Sequence, residues 1–263
     1  MNEKQKNVAI ILSGGVGSRV GAGIPKQFIK IQGKPIIAYT IEKFQNHPEI
    51  DAIEVVCVKK YIENLKHILK KYHFNKVKWI VEGGEDFQQS VIHGVYHLKK
   101  HLKDDDIVLI HYAASPFIET DIISDSIRVG QLHGNCVSAT PMFLLMGSND
   151  DNKKSTQWID RDKIMGLNSP QTFKYGYVKQ LYDEAIKNGI VDEVEPHTTS
   201  LMYKMGRTIY FSKGNQTNIK ITTKEDLALF EGYVLQKKRE HWRKIFKIRK
   251  TGRKNDTVRK TDN

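Results

Sequence analysis

Short apolar runs alternate with helix-patterned stretches along most of this chain, and that alternation restricts the fold more than any other feature. Val8 to Leu12 is an unbroken apolar run that leads straight into glycines, the pattern of a buried strand feeding a tight loop. Ile53 to Val58, Val77 to Val81, Ile107 to His111 and Asn135 to Met142 read as further strands. Between them, Pro35 to Phe44 reads as a helix with proline at its first position. Tyr61 to Tyr72 and Gln89 to Leu98 carry helical spacing. Parallel strands joined through helices need crossover connections, which predicts an α/β fold with a mostly parallel sheet and helices on both faces. Ligands of such sheets bind beyond the carboxyl ends of the strands. The residues that follow each strand are therefore the ones to weigh.

After the first strand comes Leu12-Ser13-Gly14-Gly15-Val16-Gly17-Ser18-Arg19, then Pro25-Lys26-Gln27. Glycines let backbone N–H groups turn inward and approach an anion closely. Arg19 and Lys26 add fixed positive charge suited to triphosphate oxygens. The spacing matches neither the Walker loop nor the dinucleotide fingerprint. It predicts a triphosphate site after the first strand.

These residues reach a family. Gly14-Gly15-x-Gly17-x-Arg19 and Pro25-Lys26-Gln27-Phe28 resemble the cytidylyltransferases that act on ribitol 5-phosphate and on 2-C-methyl-D-erythritol 4-phosphate. The resemblance extends to Gly83-Gly84 with Ser90-Val91, to His111-x-Ala113-Ala114-x-Pro116-Phe117 and to Asp160-Arg161. It continues through Pro170-Gln171-x-Phe173 and Asn218-Ile-Lys220-Ile-Thr222 to Asp226-Leu227, in the family's order. It implies a three-layer Rossmann-like nucleotidyltransferase fold and a homodimer joined by an arm within residues 140–160. The nucleotidyltransferase domain would span residues 1–236, with a basic tail over 237–263. Leu12, Ser13, Gly14, Gly15, Gly17, Ser18, Arg19 and Lys26 would hold the CTP phosphates. Gly83, Gly84, Glu85 and Ser90 would contact cytosine, with Tyr112 and Ala113 beside them. Arg161 and Lys220 would position an alditol phosphate, and Ser115, His197 and Thr198 would line its site. A phosphate oxygen of the acceptor would attack the α-phosphorus of CTP and release pyrophosphate. Such transfer depends on positioning and charge neutralisation more than on a covalent nucleophile.

The chain departs from the family at four places. Tyr112 stands where a magnesium-binding aspartate is expected, Ser115 and Phe87 stand for arginines, and Val194-Glu-Pro-His-Thr-Thr-Ser200 lacks the expected Thr-Asp pair. Alignment puts either Pro196 and His197 or Thr198 and Thr199 at that pair. A neutral tyrosine is no substitute for a carboxylate as a hard magnesium ligand, so Mg²⁺ is expected to arrive on the CTP phosphates, with no protein metal ligand assigned. Two explanations compete: an altered acceptor, or a non-catalytic nucleotide-binding relative whose tail docks on a membrane or partner. The first is preferred. The ribitol 5-phosphate branch is favoured over the isoprenoid one by the helix end Thr40-Ile-Glu-Lys-Phe44 and a late strand, Asn218 to Thr223. The product would supply a cell-surface polymer such as a teichoic acid.

Charge locates any polyanion contact. Twelve of the 42 Lys/Arg and three of the 30 Asp/Glu fall between Lys237 and Asn263, so +9 of the +12 net charge belongs to that tail. The rest of the chain is close to neutral, which argues against nucleic-acid binding by the fold and leaves the tail as a possible membrane-surface contact. Cys57 and Cys136 sit in apolar runs and read as buried thiols of a reducing, cytoplasmic compartment. The five-residue apolar run near the start is too short for a signal or a span. The acidic run Asp104 to Asp106 reads as a solvated turn, His111 as either a site residue or a structural one, and the remaining histidines, His67, His73, His93, His97 and His101 among them, as lying on helix-like faces without zinc spacing.

Overall fold

The computed structural model describes residues 4–14 and 23–258. In chain order these form β1 (Asn7–Ser13), a small hairpin of β2 (Lys30–Ile31) and β3 (Lys34–Pro35), α1 (Ile36–Gln45), β4 (Ala52–Cys57), α2 (Ile62–Lys71), β5 (Val77–Glu82) and α3 (Phe87–His97). There follow β6 (Ile107–Tyr112), α4 (Thr120–His133), β7 (Asn135–Pro141), and a second hairpin of β8 (Met146–Gly147) and β9 (Trp158–Ile159). The chain then runs through β10 (Met165–Lys174), α5 (Tyr175–Lys187), α6 (Thr198–Lys204), β11 (Phe211–Lys213) and α7 (Lys224–Val258).

Seven strands make one sheet in the order β11-β7-β10-β6-β1-β4-β5. All neighbouring pairs are parallel except the two made by β10, which runs antiparallel to both β6 and β7. β1 lies at the centre and is buried along its whole length, which is why its sequence is continuously apolar. Its side chains alternate between two cores. Ala9 and Ile11 join the residues of α1, α2 and α4, while Val8, Ile10 and Leu12 join those of α3, α5 and α6. Helices cover both faces, and the expected three layers are present.

A third, smaller cluster fastens α7. Phe230 and Val234 pack with Ile31, Ile36 and Phe117. The start of α7 is capped reciprocally: Asp226 accepts from the N–H groups of Thr222 and Thr223, and the Asp226 N–H reaches the Thr223 hydroxyl at 3.3 Å.

Four local expectations are corrected. Pro35 ends β3 and serves as the N-cap of α1 rather than its first helical residue. Asn218 to Thr223 is an extended segment outside the sheet, tied to it by the Ile221 N–H bonding the Ala114 carbonyl at 2.8 Å. Asp106 is buried and accepts from the N–H groups of Lys6 and Lys103, both at 2.8 Å, so the acidic turn is anchored rather than solvated. His73 follows α2 in a left-handed turn, with φ of 54°, and is not on a helix face. Cys57 and Cys136 are buried free thiols. No helix among the described residues is long and apolar enough to cross a membrane.

Candidate active site

The parallel register brings the ends of three strands level. Ser13 pairs with Cys57, and Leu12 pairs with Tyr112. Beyond them the chain is knitted across the sheet edge: the Ala113 N–H donates to the Leu12 carbonyl and the Gly83 N–H to the Cys57 carbonyl, both at 2.9 Å. Leu12, Ser13, Gly14, Gly83, Tyr112 and Ala113 thus meet at one edge. Gly15, Gly17, Ser18 and Arg19 lie outside the described residues.

Ser90 explains two of the glycines. A Cβ on Gly14 would lie 2.7 Å from its Oγ, and one on Gly83 would lie 3.0 Å from it. A Cβ on Gly84 would overlap Gln89. The Ser90 hydroxyl accepts from the Gly84 N–H at 3.1 Å and donates to the Asp86 carbonyl at 2.8 Å. Ser90 therefore shapes the Gly83-Gly84 turn from inside, while Glu85 is exposed at its tip. Asp86 caps α3 by accepting from the Gln89 N–H. Lys26 is half-buried in a short 3₁₀ turn, next to Gln27, whose side chain donates to the Ser13 carbonyl at 2.9 Å. The base of the glycine loop is thereby fastened to the end of β1.

Beside this edge lies an aromatic cluster drawn from three segments. Phe87 opens α3, Tyr112 ends β6 and His197 caps α6. Their ring centroids lie 5.5 Å apart for Phe87–Tyr112, 5.1 Å for Phe87–His197 and 6.1 Å for Tyr112–His197. The Lys220 ammonium sits 4.3 Å from the centre of the Tyr112 ring and 5.9 Å from that of Phe87. Such contacts contribute about 0.5–2 kcal/mol and help to fix the ammonium over these rings. Three of the four departures from the family pattern are thus one contact group.

Tyr112 is almost fully buried, and burial, with the nearby Glu195 carboxylate, raises its phenol well above the usual range. Burial and the Lys220 charge hold His197 below the ordinary imidazole value, partly offset by Glu195. Both groups are neutral at pH 7. His111 is wholly buried, bonds the Ser115 carbonyl at 2.9 Å, and is pushed down to about 4 by burial. It is a structural histidine that shapes the turn after β6. Ser115 is fully buried in that turn.

A cavity of about 290 Å³ opens against this cluster. Tyr112, Asn168, Gln171, Glu195, His197 and Thr199 line it. Of the residues expected at the acceptor, His197 reaches the cavity. Thr198 is buried instead, its hydroxyl 2.9 Å from that of Tyr182, and the neighbouring Thr199 takes the lining position. Arg161 stands on the β8–β9 arm, where it donates to the Phe143 carbonyl at 2.6 Å. Gln171, Asn168 and Glu195 carried no role in the sequence reading. The Pro170-Gln171 motif pointed to the first, but only a register shift in β10 between Leu167 and Gln171 turns this stretch toward Tyr112.

Tyr112, standing where a magnesium-binding aspartate is expected, is a neutral phenol whose value burial raises, and so is a poor ligand for a hard cation.

The family model for 2-C-methyl-D-erythritol 4-phosphate cytidylyltransferase matches residues 7–236. The chain belongs to this cytidylyltransferase family, IspD. Within it, the chain is 38% identical over 229 residues to a ribitol-5-phosphate cytidylyltransferase of Lacticaseibacillus paracasei, covering 87% of this chain and 98% of that one. It is 40% identical over 229 residues to a 2-C-methyl-D-erythritol 4-phosphate cytidylyltransferase of Clostridium novyi, covering 86% and 95%. Among solved IspD structures, that of the Francisella tularensis 2-C-methyl-D-erythritol 4-phosphate cytidylyltransferase superposes with a TM-score of 0.70 at 27% identity, over 86% of this chain and 100% of that one. Members of IspD are nucleotidyltransferase enzymes, which sets the non-catalytic reading aside.

Proposed function

We propose that the chain transfers CMP from CTP to an alditol phosphate of the ribitol 5-phosphate kind and releases pyrophosphate. The observation that carries this reading is the adjacency of two unlike half-sites. One is a glycine-lined edge shaped by Ser90. The other is a cavity lined by uncharged polar groups and the Glu195 carboxylate, with the Lys220 ammonium over the Tyr112 ring beside it. The first suits a nucleoside triphosphate and the second a small polar acceptor with one phosphate. Lys26, with Arg19, would neutralise the triphosphate. Lys220 would hold the acceptor phosphate in line with the α-phosphorus, so that positioning supplies the catalysis. Mg²⁺ would enter as part of the CTP complex.

A second reading, with 2-C-methyl-D-erythritol 4-phosphate as acceptor, is supported by the matching family model and the Clostridium novyi relative. We infer a homodimer joined through the β8–β9 arm, where Phe143, Leu144, Leu145 and Trp158 are exposed. Arg161 stands on that arm, so dimerisation is what would carry it to an acceptor. The free thiols fit a cytoplasmic setting, and the charge of residues 237–263 fits contact with an anionic membrane surface. An activated alditol would serve a cell-surface polymer such as a teichoic acid.

Pyrophosphate release from CTP and Mg²⁺, measured across alditol and sugar phosphates with Lys26→Ala as control, tests the reading. Turnover is expected with ribitol 5-phosphate and is expected to collapse in the control. Saturable CTP binding with no turnover on any acceptor would sink it.

A further inference from the structure

A groove separate from the aromatic cluster lies between the β2–β3 hairpin and α2, with a volume of about 190 Å³. Its floor is apolar: Phe28, Pro35, Ile68 and Tyr72. Its polar rim is Lys30 on β2 with Asn64, His67 and Lys71 on α2, and no Asp or Glu lines it. Neither Lys30 nor Lys71 is ion-paired among the described residues, whereas Lys34 on the same hairpin is bonded to Glu42 at 2.6 Å. Lys71 lies 5.5 Å from the centre of the Tyr72 ring at the floor. The His67 Nδ1–H donates to the Glu63 carbonyl at 2.7 Å, which leaves Nε2 for another partner. Two unneutralised ammonium groups over an apolar floor suit a doubly charged anion with an apolar body. The volume is below that of sites for drug-sized ligands, so the body is compact.

The groove bears on the nucleotide edge through the backbone. Phe28 closes the 3₁₀ turn Lys26–Phe28, whose Gln27 holds the Ser13 carbonyl, and its ring stacks on Tyr61 with centroids 4.9 Å apart. The hairpin tip is Gln32-Gly33, with φ of 50° and 82°. Gln32 donates to Glu231 at 2.9 Å and accepts from Lys238 at 3.4 Å, so the same hairpin is tied to α7. We propose that the groove is an effector site for a small phosphate monoester with a compact apolar body. Lys30 from the hairpin and Lys71 from α2 take the phosphate dianion, and the body lies on Phe28 and Tyr72. A ligand so placed ties the hairpin to α2 and steadies the turn that carries Lys26, so its binding is coupled to that of CTP. The site stands on the groove's own geometry, and only the coupling rests on the cytidyl-transfer reading above.

The test is calorimetric titration of the full chain with phenyl phosphate as probe, and with inorganic phosphate and phenol as its two halves. Phenyl phosphate is expected to saturate one site and to bind more tightly than either half by about tenfold or more. Lys30→Ala combined with Lys71→Ala should weaken it by about tenfold or more, while turnover without the probe stays unchanged. Asn64→Glu, which adds a carboxylate to the rim, should weaken it in the same sense, so that one misfolded variant does not decide the outcome. With CTP saturating, the probe should still bind, about fivefold more tightly, and reciprocity requires the same gain for CTP when the probe is saturating. Binding no tighter than that of inorganic phosphate, displacement of the probe by CTP, affinity unmoved in both variants, or equal affinity with and without CTP would overturn the assignment. If the wild type binds no CTP, the cytidyl-transfer reading fails, and the probe titrations without CTP decide the groove by themselves.

Discussion

The Tyr112 hydroxyl lies 3.1 Å from His197 Nδ1, a contact between residues 85 positions apart in the chain. It joins the end of a central strand to the cap of α6 and closes one wall of the cavity beside them. Because His197 is held below the ordinary imidazole value, Nδ1 is free to accept this bond at pH 7.

Acid should disrupt that arrangement. As pH falls below about 6.5, the ordinary histidine value, His197 moves toward its charged form. Nδ1 then ceases to accept, and a second positive charge stands near Lys220. The acceptor kcat/KM is expected to fall several-fold on the acid side. The acceptor phosphate also titrates near pH 6, so the comparison is with His197→Asn, which should retain only the phosphate's inflection. Identical pH profiles for the two proteins would refute a role for His197 charge.

Gly14 and Ser90 should behave as a coupled pair. Gly14→Ala places a methyl group 2.7 Å from the Ser90 Oγ, and the KM for CTP is expected to rise at least tenfold. Ser90→Ala loses the bond to Gly84 and should raise it several-fold. In the double variant the clash is gone, so the combined loss should be smaller than the sum by about 1 kcal/mol or more. Strict additivity in this cycle would mean that the edge tolerates a wider loop than the contact suggests.

Glu54 offers a stability measurement remote from the site. It is fully buried in β4, bonded to His97 Nδ1 at 2.6 Å, and pushed up to about 9 by burial. A carboxyl whose folded value is raised contributes stability that is present at low pH and lost as pH rises toward that value. From pH 7 to 8.5 the wild type should lose about 1.4 kcal/mol per pH unit from this one group. His111, pushed down to about 4, is neutral in both states above pH 7 and does not interfere. Glu54→Gln should flatten the profile, as read by urea midpoints. A wild-type midpoint that holds steady over this range would show that Glu54 is ionised in the fold.

The arm should decide the oligomeric state. Leu145 is 82% exposed and Trp158 72% exposed, beside and within the short β8–β9 hairpin. Sedimentation should give twice the chain mass for the wild type and a single mass for Leu145→Glu with Trp158→Glu. A monomeric wild type at tens of micromolar would remove the arm as a dimer contact.

Much of the framework was readable in the chain because it is local. The strands β1, β4, β5, β6 and β7 each announce themselves as short apolar runs, and the glycines after β1 and β5 mark the turns at their carboxyl ends. β10 escaped because it carries Asn168, Ser169, Pro170 and Gln171 in its middle, a polar stretch that no strand pattern predicts. It is held by pairing on both sides, with a register shift at that stretch. Asn218 to Thr223 was misread in the opposite sense. Its β-branched residues suit a strand, but one backbone bond to Ala114 takes the place of a ladder.

Periodicity and the glycine-rich turns, taken alone, determined that this chain makes an α/β sheet with a glycine-lined edge at the carboxyl ends of its strands. Both depend on residues within a few positions of one another. That Phe87, Tyr112, His197 and Lys220 are a single group was decided only by the tertiary structure. Those residues come from four separate segments, and nothing in the spacing of any one segment encodes which side chain it will meet. In the sequence Phe87, Tyr112 and His197 were separate departures from a family pattern, and Lys220 a separate match to it. In the fold the Lys220 ammonium lies over aromatic faces beside the cavity, because strand register and the starts of α3 and α6 bring them within contact distance.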